Sequence, residues 1–283
     1  MNLPRVSAVR SARIIFCVGC PIVRTALRTK RGEFDSLHDL AGIFPRERSI
    51  VRRAGKIILC LVALCAAAFL STASARAQSA PLVAEKGKFH ILLGGQELGK
   101  EDFEISRDGD FWVARGETTV PDENGQAIKV KGTLRLKADG SPAHYEWSTH
   151  GPKNASSTVE FEGQTVNVQL NVEGASRPVV NKFVFNAGAI VVLDNNMFNQ
   201  YAILARLYDW TKKGSQTFSV LIPQEMTPGS ITVESLGPQM SGNDKLETLR
   251  VKTEDAEIFL YVDDSHRLVK ISVPSSNAEV TRE

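Results

Sequence analysis

The residues able to do chemistry are few and far apart. After residue 77 the histidines are His90, His144, His150 and His266. None stands in the HxH or HExxH spacing that brings two imidazoles onto one metal. His144 and His150 point to one side of a strand, but at ~3.3 Å per residue they lie about 20 Å apart, too far to share an ion. All four cysteines, Cys17, Cys20, Cys60 and Cys65, precede residue 78. The rest of the chain therefore has no thiolate ligand, no thiol nucleophile and no disulfide. Cys17-Val18-Gly19-Cys20 has CxxC spacing but neither a second ligand pair nor a βαβ context. Asp263 and Asp264 could imitate a catalytic pair, yet adjacent acids in a turn are ordinarily just solvated. No GxSxG elbow, P-loop or dinucleotide glycine pattern occurs. These absences lead us to expect no metal, no cofactor and no catalytic residue, with a hydrolase as the remaining enzymatic alternative.

What is left is apolar. Phe198, Tyr201, Leu204, Tyr208 and Trp210 place large side chains on one predicted helix, residues 195–213. Met197, Tyr201, Leu204, Ala205 and Tyr208 recur at i, i+4, i+7, i+8 and i+11, a single helical face. Asp194 or Asn195 can cap its start, because a short side-chain oxygen accepts from the orphan N–H groups of a first turn. Lys212 and Lys213 suit the negative end of the helix dipole, and Gly214 suits the left-handed residue that ends a helix. The face has two readings. It is core, or it lines a groove for an acyl chain, where Tyr and Trp would place polar tips at the mouth.

The elements that would position this helix are strands. Apolar residues alternate with polar ones over 88–93, 101–106, 111–120, 127–137, 142–150, 155–161 and 164–171. Further runs follow at 179–185, 189–193, 216–222, 230–236, 246–253, 256–262 and 268–273. Gly94-Gly95, Asp108-Gly109, Asp139-Gly140 and Glu162-Gly163 separate them, and such pairs supply the positive φ that tight hairpins require. Pro223, Pro228 and Pro238 are expected between strands, where a missing N–H harms no ladder. About a dozen short strands at hairpin spacing indicate an antiparallel meander. A lone helix inside such a run must be covered. The expected fold is mainly β: an antiparallel, strongly curved sheet, half-barrel or open barrel, wrapped around one α-helix. Lys129, Lys131, Arg135 and Lys137 form a basic row, read as a solvated strand face.

Charge divides the chain. Residues 1–77 carry 13 Lys+Arg against 4 Asp+Glu, whereas 78–283 carry 21 against 28. The acidic part has no basic face interleaved with aromatics, so nucleic acid is not an expected partner. The split falls at an export signal. Arg52, Arg53 and Lys56 precede an apolar run over 57–70, and Ala75-Arg76-Ala77 has the small-x-small pattern cut by signal peptidase. Cleavage is predicted after Ala77. The run of ~14 apolar residues is short of the ~20 that span a bilayer, so no membrane span should remain after cleavage. Residues 1–50 read as a leader or an over-extended start, with Val51 the alternative first residue. Residues 51–77 are the signal peptide, 78–84 a flexible N-terminus and 85–283 one β-rich domain.

The export signal, the strands, the mid-chain helix and the closing run Tyr261-Val262-Asp263-Asp264-Ser265-His266-Arg267-Leu268-Val269-Lys270-Ile271 together resemble uncharacterised exported bacterial β-proteins of the periplasmic half-barrel kind. Those are broadly similar to lipoprotein carriers and related lipid-binding envelope proteins. The resemblance covers residues 85–283. It implies a curved sheet on a helix and, in some branches, lipid binding. The expectation is a periplasmic or secreted, non-catalytic protein that binds an acyl chain or a lipidated partner. The alternative is an envelope assembly protein that pairs with a protein partner through strand edges.

Overall fold

The computed structural model describes residues 82–283, apart from Glu123, Ala187, Glu254 and Asp255. The expected leader, the signal peptide with its cleavage site, and residues 78–81 lie outside the described residues.

Among the described residues, fifteen strands and one α-helix follow one another. The first eight are β1 (Glu85–Leu93), β2 (Gln96–Asp108), β3 (Phe111–Pro121), β4 (Ala127–Leu136), β5 (Pro142–His150), β6 (Ala155–Glu162), β7 (Thr165–Val172) and β8 (Val179–Val184). Then come β9 (Ile190–Val192) and the helix α1 (Asn199–Leu207). The chain closes with β10 (Gln216–Ile222), β11 (Thr227–Ser241), β12 (Asp244–Lys252), β13 (Glu257–Val262), β14 (Leu268–Val273) and β15 (Ala278–Arg282).

All strands belong to one sheet, in the order β8-β7-β6-β5-β4-β3-β2-β1-β15-β14-β13-β12-β11-β10-β9. Every neighbouring pair is antiparallel except β9 and β10, which run parallel. The first strand is joined to the last, with Phe89 opposite Arg282 and Leu93 opposite Ala278. The two edges, β8 and β9, are consecutive in the chain. Laid flat, fifteen strands at ~4.8 Å spacing would hold those edges roughly 65 Å apart. The chain from Val184 to Ile190 reaches only about 20 Å. The sheet is therefore strongly curved. Register shifts in β1, β4, β11 and β13 help it bend, since a bulge locally increases twist. It does not close, because no backbone ladder joins β8 to β9 among the described residues.

The inner face is the core. On β2, Glu101, Phe103 and Ile105 are buried while Asp102 and Glu104 are exposed. The outer faces of β2 to β4 carry Asp102, Glu104, Arg115, Glu117, Lys129 and Lys131, with Lys131 3.0 Å and Lys129 3.5 Å from Glu117. A lipid-facing barrel presents the opposite, an apolar band. No helix among the described residues is long and apolar enough to cross a membrane.

Three expectations need correction. The helix spans Asn199–Leu207 rather than 195–213. Asn196 sits at φ 60, left-handed, which stops a helix from starting earlier. Tyr208 is extended at ψ 128 and ends it before the lysines, so Gly214 does not terminate it. The helix also lacks a polar side. Asn199 through Ala205 are all buried, and α1 is in contact with β3, β13 and β14. Finally, Pro228 and Pro238 lie inside β11, not between strands. Pro238 is tolerated because β10 pairs with β11 only over residues 227–233, which leaves that stretch of β11 an open edge.

Candidate functional site

Two arrangements stand out: a buried polar clamp on the helix, and an edge strand at the rim with one side unpaired.

The clamp begins with the segment 194–200. Glu101, wholly buried, aims Oε2 at the helix start and accepts from the backbone N–H of Phe198 at 2.9 Å and of Asn199 at 3.0 Å. No side chain at the N-cap does this, so a strand residue distant in sequence supplies the cap. Burial drives the Glu101 carboxyl well above the usual carboxylate range, against the opposing pull of the Asn199 and Phe198 N–H groups. Its Oε1 has no hydrogen-bond partner, nor has Asn199 Oδ1. Asp194, the expected cap, is engaged elsewhere. Tyr145 O–H donates to it at 2.9 Å, and the N–H groups of Gln224 and Asn195 donate at 3.0 and 3.1 Å. Burial raises its carboxyl to about 7 even so. Thr118 Oγ1 donates to Asn196 O at 2.5 Å. Gly116 and Gly132, directly opposite each other on β3 and β4, make room for Met197, whose Cε would lie 2.7 Å from a Cβ added at either.

The far end of the helix is held by rings. Trp210 stacks on His266 at 4.1 Å and 1°, and meets Tyr208 edge-on at 5.1 Å. Trp210 Nε1 donates to Ala205 O at 3.0 Å. Arg206 donates to Ser265 O in the β13–β14 turn. Burial and the nearby Arg206 charge lower the His266 pKa.

The five residues expected to line a ligand groove are thus placed as follows. Phe198, Tyr201, Leu204 and Tyr208 are 3%, 5%, 0% and 2% exposed, inside the one core cluster, and Trp210 packs against it. A cavity of about 380 Å³ opens between β2, β3 and β4 at Leu98, Val120 and Pro121, and another of about 450 Å³ near Phe259 and Pro274. Neither is lined by the five. Asp263 organises its turn: Oδ1 accepts from the N–H of Ser265 and Arg267, both at 2.9 Å. His90 and His144 pair with carboxylates, Glu97 at 3.1 Å and Glu160 at 2.8 Å. No three His, Cys, Asp or Glu among the described residues gather to hold a metal.

The rim is a different surface. β8 pairs with β7 only, through Phe183 opposite Val166 and Asn181 opposite Val168. Val179, Val180 and Val184 are 49%, 64% and 68% exposed. With Val172 on β7 they make four of the seven large apolar residues exposed among those described. Only Phe183 of β8 packs on the core, and Asn181 Nδ2 lies 3.6 Å from the Met226 sulfur. By contrast the other edge, β9, is buried throughout. The run 179–185 was legible as a strand. That it would be an exposed edge of the sheet depended on the order of all the strands.

No family model matches the sequence, and no curated protein matches it. Among solved structures, the chain is similar to a β-barrel-like protein of the domain of unknown function DUF1849 from Brucella abortus, at 11% identity and TM-score 0.48, covering 71% of this chain and 95% of that one. It is also similar to a DUF1089 family protein from Pseudomonas aeruginosa, at 12% identity and TM-score 0.41, covering 62% and 89%.

Proposed function

We propose that this is an exported, non-catalytic protein of the cell envelope that binds a protein partner by adding a strand to β8. The supporting observation is the contrast between the two sheet edges. One is buried, whereas β8 offers an unpaired backbone edge flanked by exposed valines on both faces. An edge of that kind gives main-chain hydrogen bonds for affinity and alternate side chains for selectivity. In this reading the curved sheet wraps α1, and the Glu101 and Asp194 clamp keeps the interior filled so that the rim is the working surface. An acyl chain beside Tyr201 and Leu204 is the competing proposal. It needs space that α1 would have to vacate.

The test is site-specific photo-cross-linking in exporting cells. A photoreactive residue at Val180 or Val184 should give one discrete protein adduct. The same residue at exposed Lys137 should give none, and proline at Val180 or Asn181 should abolish the adduct in whichever variant keeps its fold. No adduct at Val180 and Val184, or equal adducts at Lys137, would overturn the reading.

A further inference from the structure

We infer that the segment taken by β8 is an extended peptide that carries a carboxylate opposite Lys182. The inference rests on the strand-addition reading and names the partner's chemistry.

The outer face of β8 presents Val180, Lys182 and Val184, and its neighbours on β7 are Gln169, Asn167 and Thr165. The sequence along this face is apolar, cationic, apolar. Lys182 is exposed and directly opposite it is an amide, Asn167. The next residue across is Glu160 on β6, one strand further away. Among the described residues Lys182 forms no ion pair, and neither do Lys86, Lys100, Lys137, Lys153, Lys213, Lys245 and Lys252; what sets Lys182 apart is its place in the middle of an open sheet edge. Cross-strand pairs of opposite charge stabilise a ladder and like charges weaken it. A strand arriving at β8 therefore completes the outer row best with an acid between two apolar residues.

A second copy of this chain does not fit. Two antiparallel copies of β8 meet about a two-fold axis perpendicular to the sheet, so the axis passes through a residue pair on one face. An axis through Asn181 sets Lys182 against Val180. An axis through Lys182 sets lysine against lysine. β8 contains no acid to offer. Residues 78–283 also carry an excess of Asp+Glu, which opposes close approach of two copies. A lone lysine on an edge strand discourages pairing with itself, and the same charge selects an acidic partner.

The experiment uses the protein as exported and two labelled probe peptides, Thr-Val-Thr-Glu-Thr-Val-Thr and its lysine-centred twin. Fluorescence anisotropy should show the glutamate peptide binding at least tenfold more tightly, with the preference shrinking as salt rises. Lys182→Glu should reverse the preference. Equal binding of both peptides, unmoved by Lys182→Glu, would overturn the acidic partner and leave strand addition standing. If neither peptide binds and sedimentation shows a dimer that Val180→Asp dissolves, the occupant is a second copy. If neither binds a monomeric protein, both inferences fall.

Discussion

Glu101 caps a helix that begins 98 residues further along the chain, through Oε2 and the backbone N–H of Asn199. The contact ties the meander before α1 to the helix that divides it from the meander after. It also bears on charge, because no cation among the described residues offsets the burial of this carboxyl: burial and Asp102 push its pKa up, and the two N–H groups pull it down.

Glutamine can keep the capping oxygen of Glu101 while removing the ionisable group. Glu101→Gln should therefore cost less than ~1 kcal/mol in urea unfolding. Glu101→Ala leaves two buried N–H donors without a partner, at about 1–3 kcal/mol each. Equal losses for the two variants would show that the capping bonds contribute nothing.

Asp194 carries the pH dependence that can be given a number. Burial raises its carboxyl from 3.8 to about 7. Between those values the folded protein holds a proton that the unfolded chain has released. Stability from this group is thus complete below pH ~4, declines as pH rises towards 7, and is level above it. At ~1.4 kcal/mol per unit the whole decline is on the order of 4 kcal/mol. Subtracting the unfolding curve of Asp194→Asn from that of the wild type isolates it from Glu101. A difference that is flat or rises across pH 4 to 7 would refute the assignment.

These two acids show where local reading of the chain stops. The strands were legible because hydrophobic alternation and Gly-containing turns are local. Even Glu101 carried a signal, since it shares the phase of Phe103 and Ile105 and so had to point inward. What it would meet there depended on a segment nearly a hundred residues away. Asp194 read as a helix cap by the usual local rule, but Tyr145 and Gln224 claim its oxygens and Asn196 turns left-handed behind it. β15 went unread because Ala278 and Val280 are its only apolar positions, and its pairing with β1 joins the two ends of the described chain. Of the five expected groove residues only Tyr201 and Leu204 lie on the helix; Phe198 and Tyr208 flank it and Trp210 lies beyond its end. Whether a helix face meets ligand or core is decided by the strands around it.

Leu204 separates those two roles. It is fully buried, its neighbours Ile203 and Ala205 are buried too, and α1 contacts β3, β13 and β14. If this is core, Leu204→Ala removes packed methyl groups and costs about 2–5 kcal/mol. For a domain this size that lowers the melting temperature by roughly 2–4 °C per kcal/mol. A groove residue behaves differently: truncating it spares stability and empties the groove. Native mass spectrometry of the exported protein, prepared without detergent, supplies the second readout. The core reading expects a mass without adduct, unchanged by incubation with envelope lipid, together with the stability loss. A phospholipid or fatty-acid adduct that disappears in a fully stable Leu204→Ala protein would return the helix to the role of ligand site and leave β8 as an ordinary edge.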